Sequence, residues 1–193
     1  MAQRQKHIAG ILLAAGTGSR FGGEKLLHPM PDGVAIAAHA ARNLLAAGLD
    51  VTAVVRPGDF PLADMLEQEG CVVTVCREAA RGMGASLAHA IAHERGADGW
   101  VTALADMPKI MPATIKSVVA ALEQGALIVA PQFQGQRGHP VGFSAELRNP
   151  LLALDGDEGA RAVVERHREA LKLIDCDDPN VLYDIDRKTD IIT

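Results

Sequence analysis

Short unbroken apolar runs alternate along this chain with stretches whose apolar residues recur every three or four positions. Ile8 to Leu13 is the first such run and reads as a short buried strand. Val34, Ala37, Ala38, Ala41, Leu44 and Leu45 then keep helical spacing, and Gly48 stands where that helix would end. Val51 to Val55 predicts a second strand, and Asp59 is placed to cap a helix carrying Leu62, Met65 and Leu66, closed by Gly70. Cys71 to Cys76 reads as a third strand and Gly84 to His93 as a helix of small residues. Gly99 to Leu104 is a fourth strand, ending at Ala105-Asp106-Met107-Pro108. Pro112 opens a helix with Ile115, Val118, Val119 and Leu122 on one face, Gly125 stops it, and Leu127 to Ala130 is a fifth strand.

Strands apolar on both faces and alternating with helices predict an α/β fold with a mostly parallel sheet. Beyond Pro131 the rhythm changes. Gln134 to Pro140 is a polar turn leading into Val141 to Phe143, and Ser144 can cap a short helix. Asp157 or Glu158 begins another helix through Ala160, Val163 and Val164; Leu171 to Ile174 is a further strand, and the acidic Asp184-Ile185-Asp186 follows. No repeat and no linker rich in Pro, Gly or Ser interrupts the pattern, so residues 1–193 are expected to form a single domain.

Composition narrows the partners. A formal charge of −5 without a basic stripe argues against nucleic acid, and 3% aromatic residues leave little for base stacking. No run approaches the ~20 apolar residues of a membrane span. Arg4 and Lys6 before Ile8 imitate a signal peptide, yet the apolar run opens directly into glycines and charges, so a cytoplasmic protein is expected. Cys71, Cys76 and Cys176 show neither a disulfide framework nor metal spacing and read as buried small hydrophobes; Cys71 and Cys76 should face opposite sides of their strand. His89 and His93 lie four apart on one helix face, a spacing zinc can use, but without a third ligand nearby they read as solvated side chains.

The chemistry concentrates between the first strand and Lys25, in the stretch LAAGTGSRFGGEK from Leu13. Glycine-rich backbone can wrap a phosphate closely, and Arg20 and Lys25 would supply charge. Spacing separates the possible phosphate motifs. A dinucleotide fingerprint G-x-G-x-x-G fits Gly16 and Gly18 but then meets Phe21. A P-loop fits Gly18 and Gly23, but Glu24 takes the lysine position and Leu26 follows Lys25 where a hydroxyl should bind magnesium.

The same stretch resembles the L-A-[AG]-G-x-x-x-R-[FM]-G-x-x-K signature of nucleotidyltransferases that join a nucleoside triphosphate to a phosphorylated acceptor. Gly82-Met83-Gly84-Ala85-Ser86-Leu87 resembles their G-M-x-x-S-L segment, and Asp106-Met107-Pro108 their metal-binding D-[MQ]-P. Arg137-Gly138-His139-Pro140, Gly156-Asp157-Glu158-Gly159-Ala160-Arg161 and Asp184-Ile185-Asp186 are similar to blocks of one branch, the molybdenum cofactor cytidylyltransferase family. The resemblance runs from Ile8 to Asp190. Two places depart from it: Arg187-Lys188 replace a usual Thr-Pro, and His28 to Gly33 carries Pro29 and Pro31 where a compact glycine turn is more typical.

The resemblance implies a three-layer Rossmann-like nucleotidyltransferase fold that moves CMP from CTP to molybdopterin, giving the cytosine dinucleotide cofactor and pyrophosphate. It implies magnesium as the cofactor and a molybdenum enzyme as a transient client. Lys25, Arg20 and Asp106 would be catalytic. Leu13, Ala14, Ala15, Gly16, Thr17, Gly18, Gly82 and Ser86 would join Arg20 and Lys25 around the nucleotide. Arg137, His139 and Asp157 would contact the acceptor. Asp106 would hold the metal with Asp186, for which Asp184 and Asp157 are rivals. A methyl group at Ala15, where guanylyl-transferring relatives commonly have glycine, would narrow the base site. Two other functions are alternatives. The first loop does not exclude transfer to a sugar or polyol phosphate, but the Arg137–Pro140 and Gly156–Arg161 blocks argue against it by resemblance. The other is a non-catalytic accessory protein that carries the cofactor to a molybdenum hydroxylase, against which Arg20, Lys25 and Asp106 together argue as the sole role.

Overall fold

The computed structural model describes residues 6–18 and 21–191. The expected order of strands and helices is largely the observed one. It comprises β1 (Ile8–Leu13), α1 (Ile36–Ala46), β2 (Asp50–Val55), α2 (Phe60–Gln68), β3 (Val72–Val75), α3 (Met83–His93), β4 (Gly99–Leu104) and α4 (Pro112–Glu123). Then follow β5 (Ile128–Phe133), β6 (Gln136–Arg137), β7 (Val141–Ser144), α5 (Arg148–Leu152), α6 (Arg161–Arg166) and β8 (Leu171–Asp175).

The eight strands form one mixed sheet in the order β3-β2-β1-β4-β7-β5-β6, with β8 paired to β5. β1 runs parallel to β2 and β4, β2 to β3, and β5 to β8. β7 runs antiparallel between β4 and β5. Helices cover both faces, so the molecule has three layers. Leu44 of α1, Leu66 of α2 and Val118 of α4 pack on one face, while Leu87 and Ile91 of α3, Leu151 of α5 and Val163 of α6 pack on the other. Each such fully buried side chain contributes roughly 1.5–3 kcal/mol relative to leaving it in water. Cys71 and Cys76 belong to opposite cores, as their spacing predicts. Among the described residues no helix is long and apolar enough to cross a membrane.

Three local expectations are corrected. Asp59 does not cap α2 with its side chain; its carboxylate pairs with Arg56 at 2.9 Å instead. α6 starts at Arg161 rather than at Asp157 or Glu158, because Gly156 (φ 71°) and Gly159 (φ 55°) hold the preceding stretch in turns. The polar Gln134–Pro140 turn contains the short β6, which reverses the chain so that β7 enters the sheet antiparallel.

The C-terminal segment is fastened by Asp178, whose side chain is 0% exposed. One carboxylate oxygen accepts from Met111 N–H (2.8 Å) and the Thr114 hydroxyl (3.0 Å) at the start of α4. The other accepts from Asn180 N–H (3.1 Å) and the Asn180 amide (2.9 Å). From this anchor Val181 reaches His139, whose N–H it receives at 2.9 Å, and Ile185 N–H donates to the Asp106 carbonyl at 2.9 Å.

Candidate active site

The crevice lies at the carboxyl ends of β1 and β4, where the chain from β1 runs on to β2 on one flank of the pair and that from β4 to β5 on the other, the point at which an open α/β sheet presents a binding cleft. The chain leaves β1 with Ala14 N–H donating to Val54 at 2.9 Å. That bond turns the Ala14 side chain into the core, away from the cavity that its neighbours line. Of the residues expected around a nucleotide, Leu13, Ala15, Gly16, Thr17, Gly18, Lys25, Gly82 and Ser86 border one cavity of about 390 Å³, together with Asp106. Arg20 lies outside the described residues.

The glycine loop is folded so that it delivers Lys25. Gly18 has φ 58°, a left-handed conformation that side chains rarely adopt, and Phe21 N–H donates to its carbonyl at 3.0 Å. Phe21 is buried against Ile36, Ile185 and Ile191, which fixes the loop to the C-terminal segment. Lys25, only 9% exposed, then places its ammonium 2.6 Å from Asp106 Oδ2 and 3.7 Å from Asp186 Oδ1.

Asp106, Asp184 and Asp186 offer carboxylate oxygens that all lie within 4.8 Å of one another. Asp184 stands beside Asp186 in this cluster, and Asp157 is not in it. Hard oxygen donors in this number suit a magnesium-class cation. Arg187 and Lys188 do not loosen the turn behind the cluster. Asp190 accepts from Arg187 N–H (2.7 Å) and Asp186 N–H (3.0 Å), and the Arg187 bond above all holds its carboxyl below the usual carboxylate range.

Arg137, His139 and Asp157 meet at a second cavity of about 240 Å³, joined by Arg161 over an apolar floor that includes Leu87 and Phe143. Leu13, Met83, Leu104 and Asp157 border both cavities, so the two are halves of one crevice. The dividing wall depends on a glycine contact. Gly82 has φ 123°, and a Cβ there would overlap Gly156 O and Asp157 Oδ1. Gly84 N–H donates to the Gly156 carbonyl at 2.8 Å, seating the loop on the N-terminus of α3, and Asp155 pairs with Arg81.

Gly138 permits a similar approach, since its Cβ would overlap the Val181 carbonyl; the His139–Pro140 peptide that follows is cis. His139 Nδ1 is closed off from solvent and has no hydrogen-bond partner among the described residues. Burial lowers the pKa of this imidazole below the ordinary histidine value, Arg137 lowers it further, and Asp106 opposes. The ring is accordingly neutral at pH 7 and able to donate or accept one hydrogen bond.

The patterning missed Met83, Thr102 and Asp178. Met83 and Thr102 carried no signal beyond their motif or strand, whereas Asp178-Pro179-Asn180 is a turn sequence that could have marked a side-chain-capped corner.

Residues 10–171 match the family model described as the MobA-like NTP transferase domain. The chain is 28% identical over 194 residues to the purine catabolism protein PucB of Bacillus subtilis (strain 168), covering 95% of this chain and 93% of that protein. It is 29% identical over 189 residues to nicotine blue oxidoreductase of Paenarthrobacter nicotinovorans, covering 93% and 92%. The crystal structure of Rv0371c from Mycobacterium tuberculosis H37Rv superposes with a TM-score of 0.85 at 27% identity over 97% of this chain and 96% of that one. A structure of Rv0371c in complex with manganese superposes with a TM-score of 0.76 at 24% identity, over 90% and 89% of the two chains.

Proposed function

The chain belongs to the MobA-like NTP transferase family, and on that premise we propose that it transfers CMP from CTP to molybdopterin, releasing pyrophosphate. One observation carries this proposal: Lys25, Asp106, Asp184 and Asp186 converge at the crevice whose two halves share the Asp157 wall. The larger half suits the nucleotide and the smaller the acceptor, with residues 1–193 acting as one nucleotidyltransferase domain.

In the reaction an acceptor phosphate oxygen forms a bond to the α-phosphorus as the bond to the pyrophosphate oxygen breaks. A phosphate monoester, with its second pKa at ~6, is already largely dianionic at pH 7, so no general base is needed. The backbone N–H groups of Gly16 to Gly18 hold the triphosphate, and Lys25 neutralises charge on its phosphates. Asp106, Asp184 and Asp186 would hold the divalent cation, magnesium here, whose chemistry is to neutralise the α-phosphate and the leaving pyrophosphate. The manganese complex of Rv0371c supports a divalent cation in this fold. Arg137 and Arg161 face the anionic acceptor, and neutral His139 supplies a hydrogen bond inside its pocket.

The Ala15 methyl group on the larger cavity supports a pyrimidine base. Pyrophosphate release should be measured from each of CTP, GTP, ATP and UTP with magnesium and molybdopterin. CTP is expected to be preferred; release from GTP alone would overturn the base assignment, and release only with a sugar or polyol phosphate would overturn the acceptor.

A further inference from the structure

A different set of donors comes together behind the nucleotide wall. Cys76 follows β3, Glu78 lies two residues on in the turn before α3, and His89 sits on α3 itself. One donor atom from each of these residues lies within 4.8 Å of the other two. Sequence spacing concealed the set, because Cys76 and His89 are joined only by the crossover from β3 to α3.

The three residues differ in exposure in a way that suits a site. Cys76 is fully buried, and its N–H donates to Val55 at 2.9 Å, which fixes the end of β3. His89 is half-buried, with Nε2 at 2.8 Å from Thr74 Oγ1, so the ring has an oriented neighbour. Burial favours the neutral, ligating form of that imidazole and raises the Cys76 thiol above its ordinary value, so the metal itself must displace the thiol proton. Glu78 is exposed and leaves an open side for an ion to enter.

We propose that Cys76, Glu78 and His89 bind a soft divalent transition metal of the zinc class, at a site separate from the aspartate cluster. Zinc bonds to sulfur and nitrogen are ~2.0–2.3 Å long, which places tetrahedral ligand atoms roughly 3.5 Å apart. With no edge longer than 4.8 Å, the observed triangle exceeds that size by at most about 1.3 Å per edge. Binding forms a metal–sulfur bond and releases the thiol proton to solvent; water completes the coordination. Sulfur and imidazole select zinc-class ions, whereas carboxylates alone select magnesium-class ions, so the two sites divide the available metals by ligand softness. The bound ion would brace the Ala79–Arg81 turn, whose Ala79 and Ala80 line the larger cavity.

The test is titration of the metal-free, full-length protein with Co²⁺ in the absence of nucleotide, reading the near-ultraviolet thiolate-to-cobalt charge-transfer band. One equivalent should raise the band and Zn²⁺ should displace it. Cys76→Ser should abolish the band, His89→Gln should weaken Co²⁺ binding at least about tenfold, and Asp106→Asn should leave the band in place. Because no nucleotide is present, this outcome is independent of the transfer reaction proposed above. Absence of the band in the wild-type protein, or a band unchanged in His89→Gln, would overturn the site; the half-buried His89 keeps the test decisive even if Cys76→Ser fails to fold.

Discussion

Asp178→Ala should be among the most damaging substitutions outside the crevice. The alanine removes the acceptor of four hydrogen bonds, two from the start of α4 and two from Asn180. The Asn180 bonds are local and Asn180 is half-buried, so water can replace part of them. Met111 N–H and the buried Thr114 hydroxyl are harder to satisfy. A hydrogen bond to a charged group contributes about 1.5–3 kcal/mol, and a buried donor left unpaired costs about 1–3 kcal/mol. Counting the two α4 donors, and allowing for their non-additivity, the loss is about 3–5 kcal/mol. For a chain of this length each kcal/mol shifts Tm by roughly 2–4 °C, so Tm should fall by about 6–20 °C. Urea unfolding can be followed through Trp100, the only tryptophan, which is fully buried. Asp178→Asn, which keeps one acceptor oxygen, should fall between wild type and alanine. Activity should drop further than the folded fraction, because the same segment holds the His139 backbone and the Asp106 carbonyl. An Asp178→Ala protein within about 1 kcal/mol of wild type would refute the anchoring role.

Lys25→Met should lower kcat by about 10²–10³, the loss seen when one preorganised charge-stabilising donor is removed, while circular dichroism stays native. Asp106→Asn should lose magnesium-dependent pyrophosphate release, and near-normal activity would remove Asp106 from the metal site. Gly82→Ala should destabilise by about 1–3 kcal/mol through the overlap with Gly156 and the unfavourable positive φ, measured by thermal melt. His139 predicts a pH effect of definite sign. Its pKa is lower in the folded state than the ordinary 6.5, so below that value the unfolded chain binds the proton that the folded one refuses. Its contribution is therefore present above about pH 6.5 and lost as pH falls, and His139→Gln should flatten the dependence of Tm on pH in that range.

Much of the fold was legible because its signals are local. The apolar runs at Ile8–Leu13 and Gly99–Leu104 coincide with β1 and β4 to the residue, since central strands covered by helices on both faces need apolar side chains on each. The direction of β7 was not legible, because Val141 to Phe143 would read alike in either orientation; only pairing decides. Asp59 shows how a local preference loses to a neighbour: a guanidinium one turn away took the carboxylate from the helix N-terminus. At the crevice, the glycine loop and Lys25 are legible from spacing and Asp106 from the resemblance of its D-M-P block, and Arg137, His139 and Asp157, implied by the resemblance, do share a cavity. Asp184 and the Cys76–His89 contact depended on where chain segments meet, which no spacing along one segment encodes.

If the crevice takes a triphosphate and a divalent cation as proposed, the ion pair between Lys25 and Asp106 couples the two arrivals. A cation entering the aspartate cluster alone competes with an ammonium already seated there, so its affinity is discounted by whatever free energy holds that pair. A triphosphate changes the competition, because its oxygens offer the ammonium another partner and release the carboxylates to the cation. Reciprocity then requires the cation to tighten the triphosphate by the same factor. On the function proposed, the lysine would act as a placeholder that makes each arrival conditional on the other, offsetting one of the three clustered carboxylate charges until then.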